Sequence, residues 1–87
     1  MLYDNIELDQ IILKFLEFIS QNPEAATNFF SITGLQPLDL REYYGDYNFS
    51  VGIINYLASD EELLQNFCNN FDIKPEYISN IYAILSN

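Results

Sequence analysis

Apolar residues recur along this chain at three- and four-residue spacing, in matching sets. Ala26, Phe29, Phe30 and Thr33 stand at i, i+3, i+4 and i+7, and Leu64, Phe67, Cys68 and Phe71 repeat the spacing 38 positions later. That spacing puts each set on one face of a helix. A second pair of stripes follows at the same offset: Leu40, Tyr43, Tyr44 and Tyr47 match Ile78, Ile81, Tyr82 and Leu85. A third precedes them, with Ile11, Phe15, Leu16, Phe18 and Ile19 matching Phe49, Ile53, Ile54, Tyr56 and Leu57. The first helix is read with Leu8, Ile12, Phe15 and Ile19 as its stripe. No segment alternates with period two over a useful length, so no sheet is expected. The pattern predicts an all-α fold: one domain, residues 1–87, a compact bundle of about six short helices. These form two three-helix repeats in tandem, about 8–45 and about 46–85.

Boundary residues sharpen the reading. Asp4 and Glu7 suit the start of the first helix, which runs to about Ile19. Asn22 is read as a cap, with Pro23 at the first helical position, where a missing N–H costs nothing. Gly34 falls where a left-handed residue closes a helix, with Leu35 and Phe30 as the apolar pair across the turn. Pro37 opens the third helix, Gly45 stops it, and Asp46 caps the fourth. Ser59 with Glu62 reads as a capping box for the fifth, and Asp60 and Glu61 suit its positive end. Asp72 then takes the glycine position, Ile73 and Cys68 take the places of Leu35 and Phe30, and Pro75 opens the sixth.

Charge and composition narrow the function. Thirteen Asp and Glu against 3 Lys and Arg give a net charge of −10, which repels nucleic-acid phosphates and anionic membranes. The helix-turn-helix units therefore do not imply DNA binding: the helix from Pro37 offers only Arg41 among basic residues, and that from Pro75 offers none. Many acids sit at helix starts, where the dipole favours them. The single cysteine, Cys68, excludes an internal disulfide and lies on an apolar helix face as a small buried hydrophobe. With no signal peptide and no apolar run near 20 residues, a cytoplasmic protein is expected.

Three segments carry a resemblance. FLEFISQNPEAATNFFSITGLQPLDLR, FSVGIINYLASDEELLQNF and KPEYI are similar to a domain-of-unknown-function family of short, uncharacterised helical proteins typical of alphaproteobacteria. The resemblance covers roughly Phe15 to Ile78, and FFSITGLQPLDLR is its most telling part. The chain departs from the family at Gln36, where Asp is usual before the proline, and at Asp72, where a second Gly is usual. The family has no established activity, so the resemblance implies a fold and no catalytic role.

The search for chemistry is mostly negative. Histidine is absent, which removes the usual general base and the commonest metal ligand. No phosphate loop or dinucleotide fingerprint occurs, and Asp39 to Asn48 does not fit a calcium loop. Asp60, Glu61 and Glu62 are adjacent helix residues that point in different directions, and read as helix-start acids. Arg41, Lys14 and Lys74 read as solvated. No catalytic, cofactor or metal residue is assigned, and no enzyme is expected.

What remains is apolar excess. Leu13 and Val51, matched in the repeat, point off their stripes, with Phe18 and Tyr56 flanking at matched positions. These four are the candidate partner-binding residues; central packing between the repeats is the structural alternative. Tyr43, Tyr44 and Tyr82 are assigned to the core. The expected function is a small acidic adaptor, regulator or homodimer acting through protein–protein contact. The alternative is an acidic inhibitor that mimics nucleic acid on a DNA- or RNA-binding protein.

Overall fold

The computed structural model describes residues 5–85. Six helices follow one another: α1 (Asn5–Gln21), α2 (Pro23–Thr33), α3 (Pro37–Tyr43), α4 (Tyr47–Ala58), α5 (Glu61–Phe71) and α6 (Pro75–Leu85). No strand occurs among the described residues. Asp4, expected to help start α1, lies outside them.

The core is a cluster supplied by α1, α2, α4, α5 and α6. Ile12, Phe15, Phe29, Ile54, Leu57, Phe67, Ile78 and Ile81 are essentially inaccessible to solvent. Phe15 sits at the middle: its ring meets those of Phe29 on α2 at 5.2 Å and Phe67 on α5 at 6.1 Å. Truncating one such phenylalanine to alanine removes about 3–5 kcal/mol, through lost transfer energy and the cavity left behind. α1 packs on α2, α4 and α5, while α4 lies along α6 in the most extensive pairing of the fold.

The turns are where residue choice is most visible. Gly34 has φ +75°, and its N–H donates to the Phe30 carbonyl at 2.9 Å. Asp72 has φ +56°, and its N–H reaches the Cys68 carbonyl. The left-handed closures fall where the sequence places them, but the two differ in detail. At the second, the Ile73 N–H also donates to the Cys68 carbonyl, at 2.9 Å, the six-residue bond of a Schellman motif. At the first, the Leu35 N–H goes instead to Thr33 Oγ1 at 3.2 Å, and the Thr33 hydroxyl donates to the Phe29 carbonyl at 2.8 Å. Phe71 stands in Thr33's place in the second copy and has no hydroxyl, so the backbone completes the turn there.

Two caps differ from expectation. Asn22 does not cap α2 with its side chain; its Nδ2 donates to the Phe18 carbonyl at 2.7 Å and closes the end of α1. Pro23 already removes one orphan donor at the start of α2. Ser59 likewise belongs to the helix before it, donating to the Tyr56 carbonyl at 2.8 Å. The cap of α5 is Asp60, whose carboxylate accepts from the Leu63 N–H at 3.1 Å. Asp46 caps α4 as expected, accepting from the Phe49 N–H at 2.9 Å.

α2 and α5 start 38 residues apart, as do α3 and α6, but α1 and α4 differ in length and start, and α3 and α6 pack differently. α6 has 11 residues and buries Ile78 and Ile81, whereas α3 has 7 and buries none. Tyr43, aligned with Ile81 and assigned to the core, is exposed, as are Tyr44 and Tyr82. Gly45, at φ +92°, ends the run before α3 makes a further turn, so Tyr47 falls on α4 instead of extending the α3 stripe.

Glycine 34 and aspartate 72 test this description. An added Cβ at Gly34 meets no atom within 4 Å, so Gly34→Ala pays only for the left-handed backbone. It should lower stability by about 1 kcal/mol in urea unfolding. Asp72→Gly should be neutral or gain up to about 1 kcal/mol, because relief of the same strain is offset by the greater freedom of the unfolded chain. A wild-type midpoint for Gly34→Ala would refute the left-handed closure.

Candidate functional site

Two surfaces stand apart from the packed core. The first is an open cleft of about 680 Å³ between the α1–α2 and α4–α5 pairs. Its walls carry residues 38 positions apart: Phe18 and Tyr56, Glu24 and Glu62, Asn28 and Asn66. Beneath it the two pairs exchange aromatic rings. Phe18 of α1 meets Phe67 of α5 edge-on, centroids 5.7 Å apart, and Tyr56 of α4 meets Phe29 of α2 edge-on at 5.3 Å. Phe29 and Phe67 are themselves 38 positions apart, so each contact is the counterpart of the other.

The cleft's chemistry is that of helix starts. Glu24 lies in the first turn of α2 and Glu62 in that of α5, where negative charge meets the positive end of the helix dipole. Asp60 is occupied by its capping bond. No lysine or arginine lines the cleft. Burial pushes the Tyr56 hydroxyl above the ordinary phenol range, and the Asp60 carboxylate nearby adds to the shift. Burial also raises Cys68, which is free and enclosed by the core, the opposite of an activated thiol. Among the described residues, no three His, Cys, Asp or Glu side chains are grouped to hold a metal ion. No described helix is long and apolar enough to cross a membrane.

Of the four residues singled out from the sequence, Phe18 and Tyr56 line the cleft and Leu13 and Val51 do not. Phe18 and Tyr56 share the cleft, but Phe18 is only 5% exposed and belongs to the core. It is a clasp between helix pairs rather than the rim of a docking site. Tyr56 is half-buried on the same grounds. Val51 is half-buried, and Leu13 is 51% exposed on α1.

The second surface was not legible as such in the sequence. Leu38 is 86% exposed, and Tyr43, Tyr44 and Tyr47 follow it, all exposed, over α3 and the start of α4. The Tyr43 ring stacks on Phe49 of α4, centroids 6.0 Å apart and planes at 27°, which ties α3 to the bundle. Leu40 is the residue of α3 that turns partly toward the core. A usable signal was present: the seven residues from Pro37 to Tyr43, before the Gly45 stop, give two turns, too short a helix to cover the core with its whole apolar content.

Comparison with known proteins places the chain. The model of a family described as a protein of unknown function, DUF3572, matches residues 7–87, and the chain belongs to that family. No curated protein matches the chain. No solved structure matches it either.

The reciprocal ring contacts lead to a measurable division of roles. Phe18→Ala should destabilise by about 3–5 kcal/mol in urea unfolding, because it empties a core position. Tyr56→Phe keeps the ring and should remove the phenol that ionises above the ordinary range in an absorbance titration. With its folded value raised, the neutral Tyr56 contributes stability below the unfolded phenol value of about 10, lost as pH rises through the folded value. A wild-type midpoint for Phe18→Ala would show that the clasp holds nothing together.

Proposed function

We propose that the protein is a non-catalytic interaction module that docks a protein partner on the surface of α3 and the first turn of α4. One observation carries this: α3 buries none of its residues, and Leu38, Tyr43, Tyr44 and Tyr47, on α3, the turn after it and the start of α4, are all exposed. Large apolar side chains left exposed in one short stretch of chain are material for an interaction surface. Tyrosines offer large contact area at low conformational cost and recur among residues that dominate interface energy. Leu13 on α1 and Ile32 on α2, which is 68% exposed, are further apolar positions on the surface and are secondary candidates. The setting we favour is cytoplasmic, in keeping with a single buried free thiol.

Acidic mimicry of nucleic acid is the weaker reading. Asp39, Asp46 and Asp60 each accept a backbone N–H at a helix start, so part of the negative charge has structural work to do. The remaining acids are spread over α1, α2, α3, α5, α6 and the turn before α6 rather than gathered in one element. Catalysis finds no support in the chemistry of either surface.

A photo-crosslinking side chain tests the reading. Placed at Leu38 in the native cell, it should give a discrete protein adduct, and the same side chain at Gln10, an exposed polar site on α1, should not. Because α3 buries nothing, Leu38→Asp should keep the helical spectrum and change stability by no more than about 0.5 kcal/mol. Equal adducts at both positions, or none at Leu38, would overturn the assignment of this face.

A further inference from the structure

We infer that residues 36–45 form a strap that opens from the bundle as one unit, by unfolding α3, while the other helices stay folded. Opening is a property of the free chain and holds whether or not a partner docks at α3. Little holds the segment down. None of α3 is buried, and it takes part in none of the fold's more extensive helix pairings. Leu40 packs against the core cluster, and the Tyr43 ring lies on that of Phe49. α6, its counterpart in the sequence, is held along α4 with Ile78 and Ile81 fully enclosed. Segments with few buried apolar contacts open locally at a lower free energy than the core does.

The hydrogen bonds divide at the same places. The Gln36 N–H donates to Asp39 Oδ2 and the Asp39 N–H to the Gln36 carbonyl, both at 2.9 Å, so the start of α3 is closed by its own residues. In its last turn the Tyr44 N–H donates to the Leu40 carbonyl at 3.1 Å. The neighbouring helices are closed without it. The end of α2 is completed by the Gly34 N–H and the Thr33 hydroxyl, and the start of α4 by the Asp46 carboxylate. Opening gives up the bond from the Asp46 N–H to the Tyr43 carbonyl, 2.9 Å, and leaves both of those ends intact.

Detachment and melting are one event. An isolated helix needs roughly 12–15 residues to persist in water, and α3 has 7, so off the bundle it does not stay helical. Leu35 packs against the core and anchors one edge of the strap. Gly45, at φ +92°, forms the other edge and can leave that conformation at no steric cost, which suits a hinge. Once open, the segment frees Leu40 and parts the Tyr43 and Phe49 rings. This end of the bundle therefore has a closed face and an open one, and whatever binds one of them in preference shifts the balance.

Native-state hydrogen exchange of the whole chain, read amide by amide by NMR at several low urea concentrations, tests this. The Tyr44 amide should exchange at least about a hundredfold faster, relative to its intrinsic rate, than those of Ile54 and Leu57 on α4, and with little dependence on urea. It should still exchange more slowly than in an unfolded chain. Tyr43→Ala removes the stacked ring from an exposed position and should speed α3 exchange about tenfold, leaving α4 and α6 within about twofold. Tyr43→Phe keeps the ring and should restore wild-type exchange. A Tyr44 amide that shares the rate and urea dependence of α4 and α6 would overturn the inference, because the segment would then open only with the whole bundle. A Tyr44 amide without protection would leave no closed form and overturn it equally. So would a Tyr43→Ala chain whose α4 and α6 amides accelerate as much as those of α3, since the stack would then belong to the global fold.

Discussion

The bundle depends on an exchange of aromatic rings between two helix pairs. Phe18 reaches from α1 to Phe67 on α5, and Tyr56 reaches from α4 to Phe29 on α2, while Phe15 touches both phenylalanines from the centre. Each pair leans on the other through its own aromatic, so neither completes its core alone. Edge-on rings of this kind add about 0.5–1.5 kcal/mol to the area they bury. The chain has 87 residues, a length at which a single core supplies little margin, so this interlock decides whether there is a fold at all.

From that constraint the division of the molecule follows. α1, α2, α4 and α5 are committed to the exchange, and α6 covers α4 with Ile78 and Ile81. The space over the core is then filled, and α3 is left with one partly buried contact at Leu40 and one stacked ring at Tyr43. The cleft above Phe18 and Tyr56 lies where α1 gives way to α2 and α4 to α5, and its carboxylates answer to the starts of α2 and α5. The face of α3 has no such internal explanation, which is why the functional reading rests there.

The sequence was informative where a local rule decides the outcome. Glycine or proline at a helix boundary reads directly, so Pro23, Gly34, Pro37, Gly45 and Pro75 all mark turns that the structure contains. Helical spacing likewise identified Phe15, Phe29, Phe67 and Ile81 as core. Reading failed where two local rules competed. Asn22 and Ser59 each stand between helices and suit the end of one as well as the start of the next, and the neighbour decides: Pro23 needs no cap for its nitrogen, and Asp60 is the stronger acceptor for α5. It failed again where one copy was used to interpret the other. Tyr43 and Ile81 share a place in the alignment, but only the second lies on a helix long enough to be held against α4. The candidate site was hidden for that reason, since its tyrosines looked like core until the length of α3 was taken into account.

The shallow burial of α3 has a consequence for how this protein can change over generations. Most substitutions in a small domain spend some of a narrow stability reserve, and those that spend too much are lost. Leu38, 86% exposed, draws little on that reserve, so its identity can drift under selection for contact alone. The interlocked pairs hold the scaffold constant meanwhile. A short helix held by Leu40 and one stacked ring is, in this sense, the part of the molecule with evolutionary latitude, and different chains built on the same core can present different faces there.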